Sequence, residues 1–225
     1  GATSAFVMDN GDLIQMHQGL MLIKKRLLTL INLMKKFATE NKDIVTLGYT
    51  HFQPGQLTTV GKRACLWLYD FILDLEDLDY RLDQYKLRGA KGTVGTQDSF
   101  LKLFENDHDK VKKLDKLVAE KMGFSGSFSV TGQTYSRKMD YMILAVLSGI
   151  SQSAHKISTD IRLLQGLNEI EEPFGKKQVG SSAMPYKRNP MRSERVGSLA
   201  RWVVQLASLG GINHSVQWLE RTLDD

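Results

Sequence analysis

Apolar side chains recur along this chain in alternating steps of three and four. The first series is Leu13, Met16, Leu20, Ile23, Leu27, Leu30, Met34 and Phe37. That rhythm is a heptad seam and predicts a long amphipathic helix. Ile14, Leu22, Leu28 and Ile31 widen the stripe, so the helix is expected to face two or more neighbours, as in a bundle. Residues 1–12 read as a turn-rich entry with Asp12 or Asn10 as N-cap, and the helix is expected to end near Asn41. A second seam, Ala64, Leu68, Phe71, Leu75, Leu78, Leu82 and Tyr85, predicts a helix over about 57–87. Asp70, Asp74, Asp77 and Asp79 fall off it and are expected on a solvated or inter-subunit face. A third series, Met139, Ile143, Val146, Ile150, Ser153, Ile157 and Leu164, predicts a helix over roughly 137–167. Ala145, Ser148, Gly149 and Ala154 keep that helix slim enough to be a buried central rod. Between these, the pattern predicts a short helix after residue 97 and a charged one over about 107–122, stopped by Gly123. Asn189-Pro190 opens a fourth long helix, with Asn as N-cap and Pro at the first helical position. Gly210-Gly211 is its expected stop, and a further helix is expected to begin over 215–221.

The predicted fold class is therefore all-α, a long-helix bundle. A helix of about thirty residues spans roughly 45 Å. Rods of that length, with stripes this wide, would bury more neighbours than one chain provides. We expect a homo-oligomer whose helices merge into a common bundle.

Four polar breaks interrupt the rods: Thr3-Ser4, Thr50-His51, Thr131-Gly132-Gln133, and the loop from Gly180 to Pro190. Helix ends carry free N–H groups and adaptable side chains, so sites gather at such breaks. The last break reads Gly180-Ser181-Ser182-Ala183-Met184-Pro185-Tyr186-Lys187-Arg188-Asn189-Pro190. Its two hydroxyls, flexible backbone and cationic exit suit closure over an anion. Gly92-x-x-Gly95 reads as a tight turn exposing backbone amides, with the spacing of neither common nucleotide fingerprint. Of the five histidines, His51 sits in a constrained turn beside Thr50, Gln53 and Gln56, and is the candidate for acid–base chemistry. His17, His108 and His214 read as surface residues, and His155 as a packing histidine. No G-x-S-x-G elbow surrounds Ser181 or Ser182, which argues against a serine hydrolase.

Composition narrows the ligand class. Of 225 residues, 42% are apolar and 24% charged, which allows a sizeable core. The net charge of +5 suits an anionic small molecule, and its basic residues are scattered rather than gathered into a nucleic-acid tract. Cys65 is the single cysteine, so no disulfide framework and no thiolate metal cluster can form within the chain. Cys65 is expected in the core or at an interface, in a reducing, cytoplasmic setting. The sequence contains no membrane-length apolar run, and because Gly1 opens directly into small polar residues, no signal peptide is expected. No His/Asp/Glu group has metal-ligand spacing, and neither a cofactor nor a metal is expected.

The segments GATSAFVMDN, TLGYTHFQPGQLTTVGKR and GSSAMPYKRNPMRSER, in that order and joined by long helices, resemble the fumarase/aspartase superfamily. KGTVGTQ, TGQTYSRK and QWLERTLDD narrow the resemblance to its adenylosuccinate lyase branch, of the animal type. The resemblance runs through essentially the whole chain. It implies a homotetramer with a twenty-helix core, active sites assembled from three subunits, and elimination of fumarate from succinylated purine nucleotides. Ser181 matches the family's mobile-loop base and His51 the general-acid side, with Thr50 beside it. Thr3, Ser4, Gln133, Lys187 and Asn189 match groups that hold the succinyl carboxylates; Arg195 and Arg221 match the nucleotide side. Gly55 stands where the family usually has alanine. The resemblance also implies that the family's N-terminal and C-terminal domains lie outside residues 1–225, which form one central helical domain. Other superfamily lyases, such as argininosuccinate lyase, fit the motifs around Arg195 and Arg221 less well. A non-catalytic scaffold fits poorly with intact Ser181, His51, Lys187 and Asn189.

Overall fold

Leu13, Leu20, Leu27 and Met34, one residue per heptad, are the buried seam positions of the first helix, α1 (Ser4–Glu40), in the computed structural model, which describes residues 1–222. The alternate seam positions fare differently. Met16 and Ile23 are half-buried, and Leu30 and Phe37 are exposed. One chain covers only half of the stripe that its sequence presents.

Helix α1 starts at Ser4, well before the expected cap at Asn10 or Asp12. Asp9 and Asn10 are buried and spend their side chains across the fold. Asn10 Oδ1 accepts from the Gly89 N–H (3.0 Å) and Nδ2 donates to the Gly89 carbonyl (3.3 Å). Asp9 accepts from the Tyr135 N–H at 2.9 Å. Residue types that turn the backbone when their side chains bond locally here support a helix interior.

The remaining elements are β1 (Val45–Thr50), β2 (Gln53–Thr59), α2 (Val60–Asp83), α3 (Asp98–Leu103), α4 (His108–Lys121), α5 (Lys138–Gly166) and α6 (Met191–Val216). The chain divides into two compact units. One holds Gly1–Arg26, Glu76–Val146 and the stretch from Ala207 onward; the other holds Leu27–Leu75 and Leu147–Leu206.

In the first unit the segment after α2 is packed inside. Tyr85, Leu87, Arg88, Ala90 and Lys91 are all buried, with Leu78, Val111, Ala119, Tyr135 and Met139 around them. Lys91 pairs with Asp115 at 3.3 Å, and Asp115 also accepts from the Ala90 N–H (2.6 Å) and the Ser127 hydroxyl. Asp107 caps α4, accepting from the N–H groups of Asp109 and Lys110, and Gly123 at φ +85° ends it, as the sequence predicted. The turn at Gly92–Gly95 forms, but its amides are consumed inside it: Gly92 N–H meets the Thr96 carbonyl and Gly95 N–H the Gly92 carbonyl. His17 is not a free surface residue. Its ring is half-buried edge-on against Tyr85 (5.1 Å) and Phe124 (4.9 Å). Gly210-Gly211 does not stop α6, which runs on to Val216. A Cβ on Gly210 would lie 2.8 Å from Leu144 Cδ1 and 3.2 Å from Tyr141 Cα, so that glycine permits close helix approach. The helix expected over 215–221 does not form; residues 217–222 are turn and coil. Leu223, Asp224 and Asp225, the end of the QWLERTLDD motif, lie outside the described residues.

In the second unit an antiparallel hairpin replaces the expected helix break. Val45 pairs with Thr59 and Thr50 with Gln53, and the register shifts between Leu47 and Tyr49. The sequence masks this hairpin, because Gly48, Pro54 and Gly55 read only as breakers. Helix α2 leaves it at Val60, whose N–H meets the Ile44 carbonyl at 2.9 Å. Ala64, Trp67 and Phe71 face inward, and Trp67 Nε1 donates to Asp160 at 2.6 Å. Asp70 forms an ion pair with Lys156 at 2.5 Å. Cys65 is exposed. Helix α5 ends in a Schellman motif: Asn168 sits at φ +58°, its N–H meets the Gln165 carbonyl, and the Glu169 N–H meets the Leu164 carbonyl. A long loop over 169–190 follows and leads into α6. The class remains mainly helical, with one small hairpin. Among the described residues no helix is long and apolar enough to cross a membrane.

Candidate active site

The sequence-predicted site residues fall into two groups, one in each unit. In the first unit Gln133 and Arg221 are joined. Arg221 Nη1 donates to Gln133 Oε1 at 2.7 Å, and the Gln133 N–H donates to the Glu220 carbonyl at 2.8 Å. The tail reaches this position through Gln217, which accepts from the Arg137 N–H (2.8 Å) and donates to Thr134 Oγ1 (3.1 Å) and the Tyr135 carbonyl (2.9 Å). Gly132 makes room for the tail, since a Cβ there would sit 2.4 Å from the Glu220 carbonyl oxygen. Beneath Gln133 lies Arg88, fully buried. Its Nε donates to the Gln133 carbonyl (2.7 Å), and its Nη groups donate to the carbonyls of Lys91 (3.0 Å) and Gly92 (3.1 Å). Burial lowers the Arg88 pKa, and the nearby Asp9 and Asp115 carboxylates partly oppose this.

Thr3 and Ser4 open α1, and the Thr3 carbonyl accepts from the Phe6 N–H at 3.0 Å. The Thr3 hydroxyl is buried and has no hydrogen-bond partner among the described residues. An unpaired buried hydroxyl costs about 1–3 kcal/mol, which a ligand's acceptor would recover. No hydrogen bond links Thr3 or Ser4 to Gln133 or Arg221 among the described residues.

In the second unit Thr50 and His51 stand at the tip of the hairpin. His51 (φ +52°) and Phe52 (φ +57°) form a two-residue turn with both residues in the left-handed region. That conformation matches the twist of the flanking strands, but it costs a side chain about 1–2 kcal/mol per residue. Such strain concentrates at functional sites. His51 and Thr50 are exposed, and the His51 ring makes no hydrogen bond among the described residues. Arg63 Nη2 fastens the hairpin from α2, donating to the Leu47 carbonyl at 2.5 Å.

The loop over 180–189 closes on itself. Asn189 Nδ2 donates to the Gly180 carbonyl at 2.8 Å, so this side chain ties the loop where capping of α6 was expected. A Cβ on Gly180 would lie 2.2 Å from the Lys187 carbonyl oxygen, a contact only glycine allows. Ser181 Oγ accepts from the N–H groups of Ala183 (3.4 Å) and Met184 (3.2 Å). Two donors aimed at a hydroxyl oxygen favour its ionised form. Lys187 and Arg195 are exposed, and neither head group is ion-paired among the described residues. No hydrogen bond joins Ser181 to His51 or Lys187. Sequence reasoning missed Arg88, Gln217 and Gln165, because most of their partners are main-chain groups that leave no trace in residue spacing. No group of three or more potential metal ligands occurs among the described residues.

A family model described as a lyase matches residues 1–205. Adenylosuccinate lyase from Saccharomyces cerevisiae is 56% identical over 225 residues, which cover 100% of this chain and 47% of that protein. The Schistosoma mansoni adenylosuccinate lyase is 52% identical, again over 100% of this chain and 47% of its own length. Adenylosuccinate lyase from Pyrococcus abyssi is 34% identical over 99% of this chain and 48% of its own length. The chain thus spans about half the length of the curated relatives it matches. Among solved structures, 3-carboxy-cis,cis-muconate lactonizing enzyme from Pseudomonas putida superposes with a TM-score of 0.81 at 25% identity, over 99% of this chain and 48% of that one. A fumarate lyase from Mesorhizobium sp. BNC1, at TM-score 0.76 and 22% identity over 99% of this chain and 47% of its own, shares the fold.

Proposed function

The chain belongs to the lyase family, and from that premise we propose that it forms the central part of an adenylosuccinate lyase. The reaction is a β-elimination that releases fumarate from adenylosuccinate, leaving AMP, and likewise from succinylated aminoimidazole carboxamide ribotide. Ser181 is the base. It takes a proton from the carbon beside a succinyl carboxylate, and the electron pair left behind is held as an aci-carboxylate. The C–N bond then breaks, its electrons go to the departing nitrogen, and His51 supplies the proton there. Lys187, Asn189, Thr3, Ser4 and Gln133 hold the carboxylates, where fixed donors count most as charge builds up. Thr50 borders the general-acid side, and Arg195 and Arg221 bind the nucleotide. We also propose a cytoplasmic homotetramer with active sites shared between subunits, completed by domains outside residues 1–225.

The observation that carries this reading is the pair of amides on Ser181 Oγ. A serine is a poor base unless its alkoxide is stabilised, and N–H groups on its oxygen favour that charged form, which supports assigning the base to Ser181. The test is fumarate release from adenylosuccinate by the complete protein, and by its Ser181→Ala variant. The wild type should turn over. The variant should lose at least about a thousandfold in kcat while binding adenylosuccinate within a few-fold of wild type. Retained turnover in the variant would assign the base elsewhere.

A further inference from the structure

Gln165 lies in the last turn of α5 and is 9% exposed. Its carboxamide is used in two directions. Oε1 accepts from the Glu172 N–H at 3.1 Å, and Nε2 donates to the Arg188 carbonyl at 2.8 Å. Glu172 is on the entering side of the long loop and Arg188 on its exit, so one side chain spans the neck. Between those points lies Ser181; Lys187 and Asn189 flank Arg188 in sequence. Any displacement of the Arg188 carbonyl therefore moves both of these residues. Arg188 makes two further contacts across the neck through its side chain: its guanidinium lies over the Phe174 ring at 5.3 Å, and it forms an exposed ion pair with Glu171 at 3.0 Å, a type worth little in solvent. The neck is also held from below. The Gln165 carbonyl is part of the Schellman motif, and Glu169, the residue that completes that motif, accepts a hydrogen bond from Thr46 of β1.

We propose that Gln165 is a positioning residue for the elimination: a carboxamide that pins both sides of the loop's neck and so sets where Ser181, Lys187 and Asn189 stand. A carboxamide suits the task because one planar group presents a donor and an acceptor at a fixed angle. The proposal rests on the function proposed above, and its test separates the two.

The complete protein is compared with Gln165→Leu and Gln165→Glu by three measurements: trypsin cleavage of the folded protein at Lys176, Lys177, Lys187 or Arg188; kcat for fumarate release; and affinity for AMP. Leucine removes both bonds. Cleavage in the loop should accelerate about tenfold, as local opening becomes easier, and kcat should fall at least about tenfold. AMP affinity should stay within about twofold, because AMP lacks the succinyl group that the loop residues hold. A general loss of structure would lower AMP affinity as well. Glutamate keeps the acceptor for the Glu172 N–H but lacks the donor until it is protonated. Its kcat deficit should therefore narrow as the pH is lowered toward its carboxyl pKa, whereas the leucine deficit should not. Gln165→Glu alone decides the matter if the leucine variant does not fold. Unchanged cleavage overturns the pinned neck, whatever happens to kcat. Faster cleavage with wild-type kcat overturns the positioning role. If the wild type releases no fumarate, the functional reading fails, and the cleavage rates still decide whether Gln165 holds the neck.

Discussion

Asp115 gathers three donors: the Ala90 N–H, the Ser127 hydroxyl and the Lys91 ammonium, which also donates to the Arg88 carbonyl at 2.9 Å. Burial lowers the Lys91 pKa, and Asp115 is what opposes that loss. Asp115→Ala leaves an uncompensated buried cation, and the expected cost is about 3 kcal/mol, read as a lower urea midpoint with unchanged slope. A loss below about 1 kcal/mol would mean that solvent reaches the pair. Asp9 illustrates the opposite sign. Burial raises its pKa above the ordinary 3.8, against the lowering pull of the Tyr135 N–H and Arg137. Between 3.8 and its raised value the folded state binds more protons than the unfolded state. Its contribution to stability is therefore full below that window and declines as pH rises through it. Asp9→Asn, which can still accept from Tyr135, should gain stability relative to wild type as pH rises through the window. Paired denaturation curves at several pH values check this, and a constant difference would show that Asp9 does not titrate abnormally.

At the scale of elements, the hairpin tip is where local preference and structure disagree most. Two-residue turns with both φ values positive favour Asn-Gly, yet this one carries His51-Phe52. Substitution of Phe52 should therefore follow backbone tolerance. Glycine is expected to be stabilising by up to about 1 kcal/mol relative to Phe, and valine destabilising, because a β-branched residue fits a positive φ worst. Thermal melts of the three proteins test this order, and Val at or above Gly would contradict a left-handed turn. The same conflict explains why the hairpin was not legible in the sequence. Without Gly or Asn at the turn, TLGYT and QLTT carry no pairing signal. The long helices were legible, because a three–four rhythm survives whatever packs against it. Their ends were less so: Asn10 looks like a cap, and Gly210 looks like a stop, until the partners across the fold are seen. His51 and the loop that holds Ser181, Lys187 and Asn189 could be picked out because they sit in polar breaks between apolar seams, but the choice of Ser181 over Ser182 came from the family resemblance. Gln165 lies inside a seam-bearing helix, and nothing in its spacing marks it.

At the scale of the whole molecule, α6 is apolar on the wrong side for a lone chain. Its covered positions are small: Ser193, Gly197, Ala200 and Gly210. Its large residues point outward, with Leu199 57% and Trp202 65% exposed, and Val196, Leu209 and Ile212 exposed as well. A helix with apolar residues on every side belongs inside a larger bundle. On α1, Leu22, Leu28, Leu30 and Phe37 are exposed in the same way. We expect residues 1–225 to associate in solution at micromolar concentrations, with a sedimentation coefficient that rises with concentration. Salt should discriminate the cause. Charge-driven contacts weaken as the screening length shortens, whereas apolar contacts persist. Association that survives about 1 M salt, and that is lost in the Leu199→Glu, Trp202→Glu double variant without loss of helical circular dichroism, assigns the interface to this face. A chain that remains monomeric at tens of micromolar would leave these large side chains in water, and the bundle drawn from the heptad seams would then have to be abandoned.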